Sequence, residues 1–225
     1  MIKIGHRGAM GYIAENTIES IEKALEQGVD GIEIDVHVCA SGELVVFHDL
    51  TLDRMTNGSG ELSGWTLGEL KVLRVNEKYR IPTLVEVLEF VNGRCMLNIE
   101  LKGEGTAAPA CDIIQSFIKT NNYTYDHFIV SSFQQTELET LYQLDDKIPL
   151  GVLTKASIDE AIQLAEKINT KYIHPNTAIT SEKAVAAAQS KGYKIIVWTA
   201  TMPDTIKRMK NYGVDGIISD KPDRL

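Results

Sequence analysis

At 225 residues, with 44% hydrophobic and 24% charged side chains, the chain can build a full core and has the length of a barrel made from βα units, so it does not belong with disordered or low-complexity proteins. A formal net charge of −8 argues against a nucleic-acid surface or a polybasic membrane anchor, although a local cationic pocket remains open. The three cysteines, Cys39, Cys95 and Cys111, form no CxxC or Cys/His cluster. No apolar run approaches the ~20 residues of a membrane span, and the opening residues carry no signal-peptide pattern. The expectation is a reduced, cytoplasmic protein with no integral membrane association and no nucleic-acid partner, with a homo-oligomer left open.

In chain order, residues 2–5 read as a first strand ending in His6-Arg7-Gly8. Asn16 is the expected cap of a helix with Glu19 at N3, and Ile18, Ile21 and Leu25 recur at helical spacing until Gly28. The run Gly31-Ile32-Glu33-Ile34-Asp35-Val36-His37 reads as the second strand. Successive strand side chains point to opposite faces, so Glu33, Asp35 and His37 share one face and Ile32, Ile34 and Val36 the other. Ser41-Gly42 is a turn, and the run from Leu44 to Phe47, ending at His48-Asp49, follows too closely for a crossover helix and should pair antiparallel. Residues 51–82 lose periodicity. They read as a small insertion holding one short helix, either a lid or a packed loop.

Beyond Pro82 the pattern is regular: helix 83–91, strand 96–101, helix 107–119, strand 128–133, helix 134–144, strand 150–153, helix 158–167, strand 172–174, helix 181–190, strand 194–199, helix 204–212 and strand 216–219. Eight strands, most followed by a helix, predict a TIM (β/α)8 barrel with a short insertion after the second strand, in a single domain spanning 1–225. Active sites of such barrels sit at the C-terminal ends of the strands. His6, Arg7, Glu33, Asp35, His48, Glu100, Lys102, His174, Trp198 and Asp220 fall at or near those ends.

Glu100 and Lys102 repeat the spacing of two seen at Glu33 and Asp35, so three carboxylates can converge. An oxygen-only set suits Mg²⁺ or Ca²⁺, and no Cys/His cluster favours zinc. An internal salt bridge to Lys102 with no metal is the alternative reading. Arg7 and Lys102 beside these acids suit an anionic phosphate or phosphodiester, and His6 and His48 are the candidate base and acid. Trp198 is a candidate substrate wall or a packing residue. His37, His127 and His174 read as structural.

The motifs His6-Arg7-Gly8, Glu15-Asn16-Thr17, Glu33-Ile34-Asp35-Val36, His48-Asp49, Thr51-Leu52-Asp53-Arg54, Thr56-Asn57-Gly58-Ser59-Gly60, Ile81-Pro82-Thr83-Leu84, Glu100-Leu101-Lys102, Val197-Trp198-Thr199 and Gly213-Val214-Asp215-Gly216 stand in the order of the glycerophosphodiester phosphodiesterase family, which the chain resembles over its whole length. The resemblance implies a barrel related to phosphatidylinositol-specific phospholipases that hydrolyses a glycerophosphodiester to sn-glycerol 3-phosphate and an alcohol. It further implies one divalent cation on Glu33, Asp35 and Glu100, catalytic His6 and His48, and phosphate contacts from Arg7 and Lys102. Two departures stand out: Ala14 replaces the family's usual proline, and Ala200-Thr201 replaces Val-Asn. A lyase that stops at a cyclic phosphate and a non-catalytic phosphodiester-binding barrel are the alternatives. The nucleophile, water or a neighbouring substrate hydroxyl, is left open, as is the alcohol.

Overall fold

The computed structural model describes all residues, Met1–Leu225. Its strands are β1 (Ile2–His6), β2 (Gly31–Val38), β3 (Leu44–Val46), β4 (Met96–Leu101), β5 (Phe128–Ser132), β6 (Leu150–Thr154), β7 (Tyr172–Pro175), β8 (Lys194–Val197) and β9 (Gly216–Ser219). Eight of them close a parallel barrel in the order β1-β2-β4-β5-β6-β7-β8-β9, with β9 returning to β1. The helices are α1 (Ile18–Glu26), α2 (Leu67–Val72), α3 (Leu84–Val91), α4 (Ala107–Thr120), α5 (Gln135–Leu144), α6 (Ile158–Lys167), α7 (Glu182–Ser190) and α8 (Pro203–Asn211). After β9 there is no α-helix. A 3-10 turn at Pro222–Arg224 takes the eighth position.

The alternating sequence pattern explains the two-sided burial of these strands. Ile32, Ile34 and Val36 of β2 join Leu97 and Ile99 of β4 in the large core beneath the helices, while Ile4, Ile129, Ile196 and Ile218 form a separate plug inside the barrel. That plug closes the barrel axis, so the polar residues further along the same strands face a mouth and not a pore.

β3 is antiparallel to β2, as its short connection requires, and pairs with the stretch Val36 to Val38. β1 pairs with β2 only as far as His6 opposite Glu33, so β3 takes the edge that β1 vacates. The insertion is a packed element. Leu52, Leu62, Leu70, Leu73, Val75 and Ile81 bury with Val45 and Phe47 of the β3 segment in a small core of their own.

Local chemistry explains most boundaries, with three shifts from expectation. Thr83 and Glu86 form a reciprocal capping box, so α3 begins at Leu84 and Thr83 is its cap. Thr17, not Asn16, caps α1, its hydroxyl accepting from Ser20 N–H at 3.1 Å. Asn16 is used elsewhere. The strand expected to reach Thr199 ends at Val197.

Candidate active site

Register builds the acid cluster directly. On neighbouring strands Glu33 stands beside His6 and Asp35 beside Glu100, all with inward side chains. One carboxylate oxygen from each of Glu33, Asp35 and Glu100 lies within 4.8 Å of the others. Lys102, just past β4, reaches Glu100 at 2.9 Å and Asp35 at 3.8 Å. Arg7 reaches Asp35 at 3.3 Å through Nε, and its backbone N–H donates to Glu33 Oε2 at 2.9 Å.

Arg7 and Gly8 hold this turn in the left-handed region, at φ 49° and 82°. At Gly8 a Cβ would come within 2.5 Å of the α1 backbone at Ser20, so no other residue fits this approach. The left-handed conformation at Arg7, uncommon for a residue with a side chain, aims its backbone N–H at Glu33.

The electrostatics are those of an acid-rich, buried pocket. Burial, then Asp35 and Glu100, raise Glu33 well above the usual carboxylate range. Burial, then Asp35, push Glu100 up to about 7 against the pull of Lys102. Burial works against the charge on Arg7 and Lys102, but the surrounding carboxylates outweigh it and both cations are held more firmly than usual. Three inner acids therefore face two cations, one of which, Arg7, is shared with Glu15 at 2.7 Å. Glu33 Oε1 is buried with no hydrogen-bond partner in the protein. An internal salt bridge leaves that oxygen without a partner and leaves the acids able to ionise together only at a cost. A hard divalent cation fits both, and the donor set is all oxygen.

The two histidines flank this cluster, each oriented by its own carboxylate. His6 Nδ1–H donates to Asp220 Oδ1 at 2.6 Å, and Thr201 Oγ1–H donates to Asp220 Oδ2 at 2.9 Å. His6 Nε2 lies 3.9 Å from Glu33. His48 Nδ1–H donates to Asp49 Oδ1 at 2.6 Å, leaving Nε2 at 3.2 Å from Lys102 Nζ. Because carboxylates only accept, both rings are fixed in the same tautomer, with Nε2 turned away from the orienting acid. Burial lowers His48 against the opposing pull of Asp35, with Arg7 and Lys102 adding to the lowering.

The structure brings all seven acid, base and cation candidates to one mouth. Trp198 stands beside Phe133, ring centroids 5.5 Å apart and edge to face, with its indole N–H donating to the His174 carbonyl at 2.7 Å. Phe133 is 43% exposed, so the pair presents an apolar edge to solvent. His37 lies off the acid cluster and donates from Nε2 to the His48 carbonyl at 3.1 Å.

Several participants escaped sequence reasoning. Asn16 donates to Asp35 Oδ2 at 2.9 Å and accepts from Asp35 N–H at 3.3 Å, a role hidden because Asn before a helix also reads as a cap. Glu15, Asp49 and Arg54 form a rim of ion pairs, and Arg54 comes from the insertion. The signal for them lay in adjacency: Glu15 precedes Asn16, and Asp49 follows His48. A surface cavity of about 540 Å³ around Gln115, Tyr125 and Asp145 lies at the opposite end of the barrel. It contains none of these residues.

A parallel barrel with acids, cations and two carboxylate-oriented histidines at the carboxyl ends of its strands belongs to the class of barrel enzymes that act on anionic substrates. Residues 6–224 match the glycerophosphoryl diester phosphodiesterase family, and the chain belongs to that family. It is 35% identical to a glycerophosphodiester phosphodiesterase of Caldanaerobacter subterraneus subsp. tengcongensis, covering 99% of this chain and 95% of that protein. It is 36% identical to one from Bacillus altitudinis, covering 100% and 96%. Among solved structures, an Oleispira antarctica phosphodiesterase in complex with the product sn-glycerol-3-phosphate superposes with a TM-score of 0.90 at 29% identity, covering 98% of this chain and 93% of that one. No helix is long and apolar enough to cross a membrane.

Proposed function

We propose that the protein hydrolyses small glycerophosphodiesters to sn-glycerol 3-phosphate and an alcohol in a divalent-cation-dependent reaction, with Mg²⁺ or Ca²⁺ held by Glu33, Asp35 and Glu100. The observation that carries this reading is the convergence of those three carboxylates beside Arg7 and Lys102, with one Glu33 oxygen buried and unpartnered. A cation bound there supplies positive charge against the phosphoryl oxygens.

The chain's own residues do the rest. Arg7 and Lys102 hold the phosphate and stabilise its developing charge from two sides. His6, kept in one tautomer by Asp220, takes at Nε2 the proton of the nucleophile, either water or a neighbouring substrate hydroxyl whose cyclic phosphate water then opens. His48, kept by Asp49, delivers a proton from Nε2 to the leaving alkoxide. A bound anionic diester near His48 counters the burial that lowers it in the free protein. Trp198 forms the apolar wall for the carbon skeleton. The three cysteines are buried and unpaired, which supports a reducing, cytoplasmic setting.

Turnover of glycerophosphocholine and glycerophosphoethanolamine with and without EDTA tests the reading, with phosphorus NMR identifying the product. Expected are sn-glycerol 3-phosphate as the end product and loss of activity with EDTA, restored by added Mg²⁺ or Ca²⁺. Activity indifferent to EDTA refutes the metal role, and a persistent cyclic phosphate refutes hydrolysis.

A further inference from the structure

The insertion sends one side chain back to the mouth of the barrel, and its geometry is saturated. Arg54 Nε–H and Nη2–H donate to the two oxygens of Asp49 at 2.5 and 3.0 Å. Nη1–H and Nη2–H donate to the two oxygens of Glu15 at 3.1 and 2.7 Å, and Nη1 also meets Met55 Sδ at 3.0 Å. All five guanidinium donors are engaged, in two forks that only a planar guanidinium can serve at once.

Each carboxylate so gripped has a second partner in the site. Asp49 Oδ1 also accepts from His48 Nδ1–H at 2.6 Å, and Glu15 Oε1 also accepts from Arg7 Nη1–H at 2.7 Å. The anchor behind Arg54 is rigid. Leu52 is fully buried in the insertion's core, and Thr56 closes the turn by donating to the Leu52 carbonyl from both N–H and Oγ1–H, at 3.0 and 2.9 Å. Arg54 itself is 48% exposed on its side chain. The Arg54–Asp49 pair, 48% and 23% exposed, is open to water and contributes little to stability, so stability alone does not account for this arrangement.

We propose that Arg54 is a positioning residue that couples the insertion to catalysis: through Asp49 it orients His48, and through Glu15 it sets the phosphate-binding Arg7, fixing the two relative to one another. Without the guanidinium, two carboxylates face each other with no cation between them. Asp49 is then free to swing towards solvent, taking the His48 orientation with it. Lysine cannot replace Arg54, because a single ammonium cannot fork to both carboxylates.

The proposal rests on the phosphodiesterase reading for its kinetic arm and not for its spectroscopic one. Arg54→Gln, Arg54→Ala and Arg54→Lys are compared with wild type by ¹⁵N NMR of histidine-labelled protein, with His48→Gln assigning the His48 resonances. Wild type should show Nδ1 protonated and Nε2 bare at pH 8, and all three variants should drift toward a tautomer mixture at unchanged melting temperature.

With glycerophosphocholine, the variants should lose kcat by about 10²-fold, the scale of a misplacement of about 1 Å, and also raise KM through Arg7. Adding Asp49→Asn to Arg54→Ala should cost little further kcat, and adding Glu15→Gln should cost little further KM. An unchanged His48 spectrum in Arg54→Ala overturns the proposal, as does full rescue of kcat by lysine. So does a lowered melting temperature with kcat and KM intact, which marks a purely structural pair. If wild type turns over no glycerophosphodiester, the functional reading fails while the His48 spectra still decide the role of Arg54.

Discussion

Cation binding and proton release should be linked at the acid cluster, and the linkage can be worked from Glu100. Its carboxyl sits at about 7 in the cation-free protein instead of 4.5, chiefly through burial and then Asp35. That displacement corresponds to about 3 kcal/mol of resistance to ionisation. Near pH 6 about nine-tenths of Glu100 is therefore protonated, and a divalent ion must displace that proton to use the carboxylate. Affinity should rise about tenfold per pH unit below 7 and level off above it. Glu33, also raised, steepens the dependence in the same direction.

Calorimetric titration of Mg²⁺ or Ca²⁺ between pH 5.5 and 8.5, in two buffers of different ionisation enthalpy, reads both quantities. About one proton or more should leave per ion at pH 6, and few at pH 8.5. In Glu100→Gln the release should shrink and the affinity fall. Equal affinity at pH 6 and pH 8, with no proton release, refutes both the assignment of Glu100 as a ligand and the electrostatic account of the cluster.

Other outcomes follow from single residues. His48→Ala should lower turnover by about 10² to 10⁴-fold with substrate binding largely retained, and an unchanged rate would reassign the acid. Asp220→Asn should lower kcat while leaving KM for the diester close to wild type, since Asp220 orients His6 and touches no phosphate ligand; a change confined to KM would remove it from the orienting role. Arg7→Lys should weaken binding of sn-glycerol 3-phosphate despite the retained charge, because the fork that meets both Glu15 and Asp35 is lost; calorimetry checks this, and equal affinity would show that charge alone suffices.

His174 gives a stability prediction. It is fully buried in the barrel with neither ring nitrogen partnered within the protein, and burial lowers it to about 3. The unfolded chain takes up the proton first. The stabilisation associated with neutral His174 is therefore complete above pH 6.5 and is lost as pH falls toward 3, by about 2 kcal/mol at pH 5. Urea unfolding of wild type and His174→Leu at pH 7.5 and pH 5 should show that increment in wild type alone, and parallel pH slopes in the two proteins would contradict it.

The legibility of this fold in its sequence divides along physical lines. Alternation in β2 was readable because each strand buries one face regardless of its distant partners, and eight strands, seven of them followed by a helix, then leave few topologies. Glu33, Asp35 and Glu100 were readable for the same reason: a spacing of two on adjacent parallel strands fixes which side chains meet. Residues whose role depends on where a loop folds back were not. Asn16 has two uses for one amide, capping or bonding Asp35, and local sequence cannot choose between them. Arg54 lies 39 residues from Glu15, and only the insertion's own core determines that its guanidinium returns to the mouth.

The groups read easily from the sequence, the three acids and His6, stand on or at the end of barrel strands whose positions the plug of Ile4, Ile129, Ile196 and Ile218 holds rigid. The roles that were hard to read, those of Glu15, Asn16, Asp49, Asp220 and Arg54, belong to loop residues that hold those strand residues, or His48 and Arg7, in place. Asp220 with Thr201 illustrates the difference. Thr201 stands where the family often has asparagine, yet its hydroxyl donates to Asp220 and its Oγ1 also receives Asp220 N–H at 3.2 Å, so the orientation of His6 is kept by another side chain. Loop chemistry of this kind can change its residues and keep its geometry, whereas a strand position such as Asp35, paired in register with Glu100, has no alternative place from which to reach the same point.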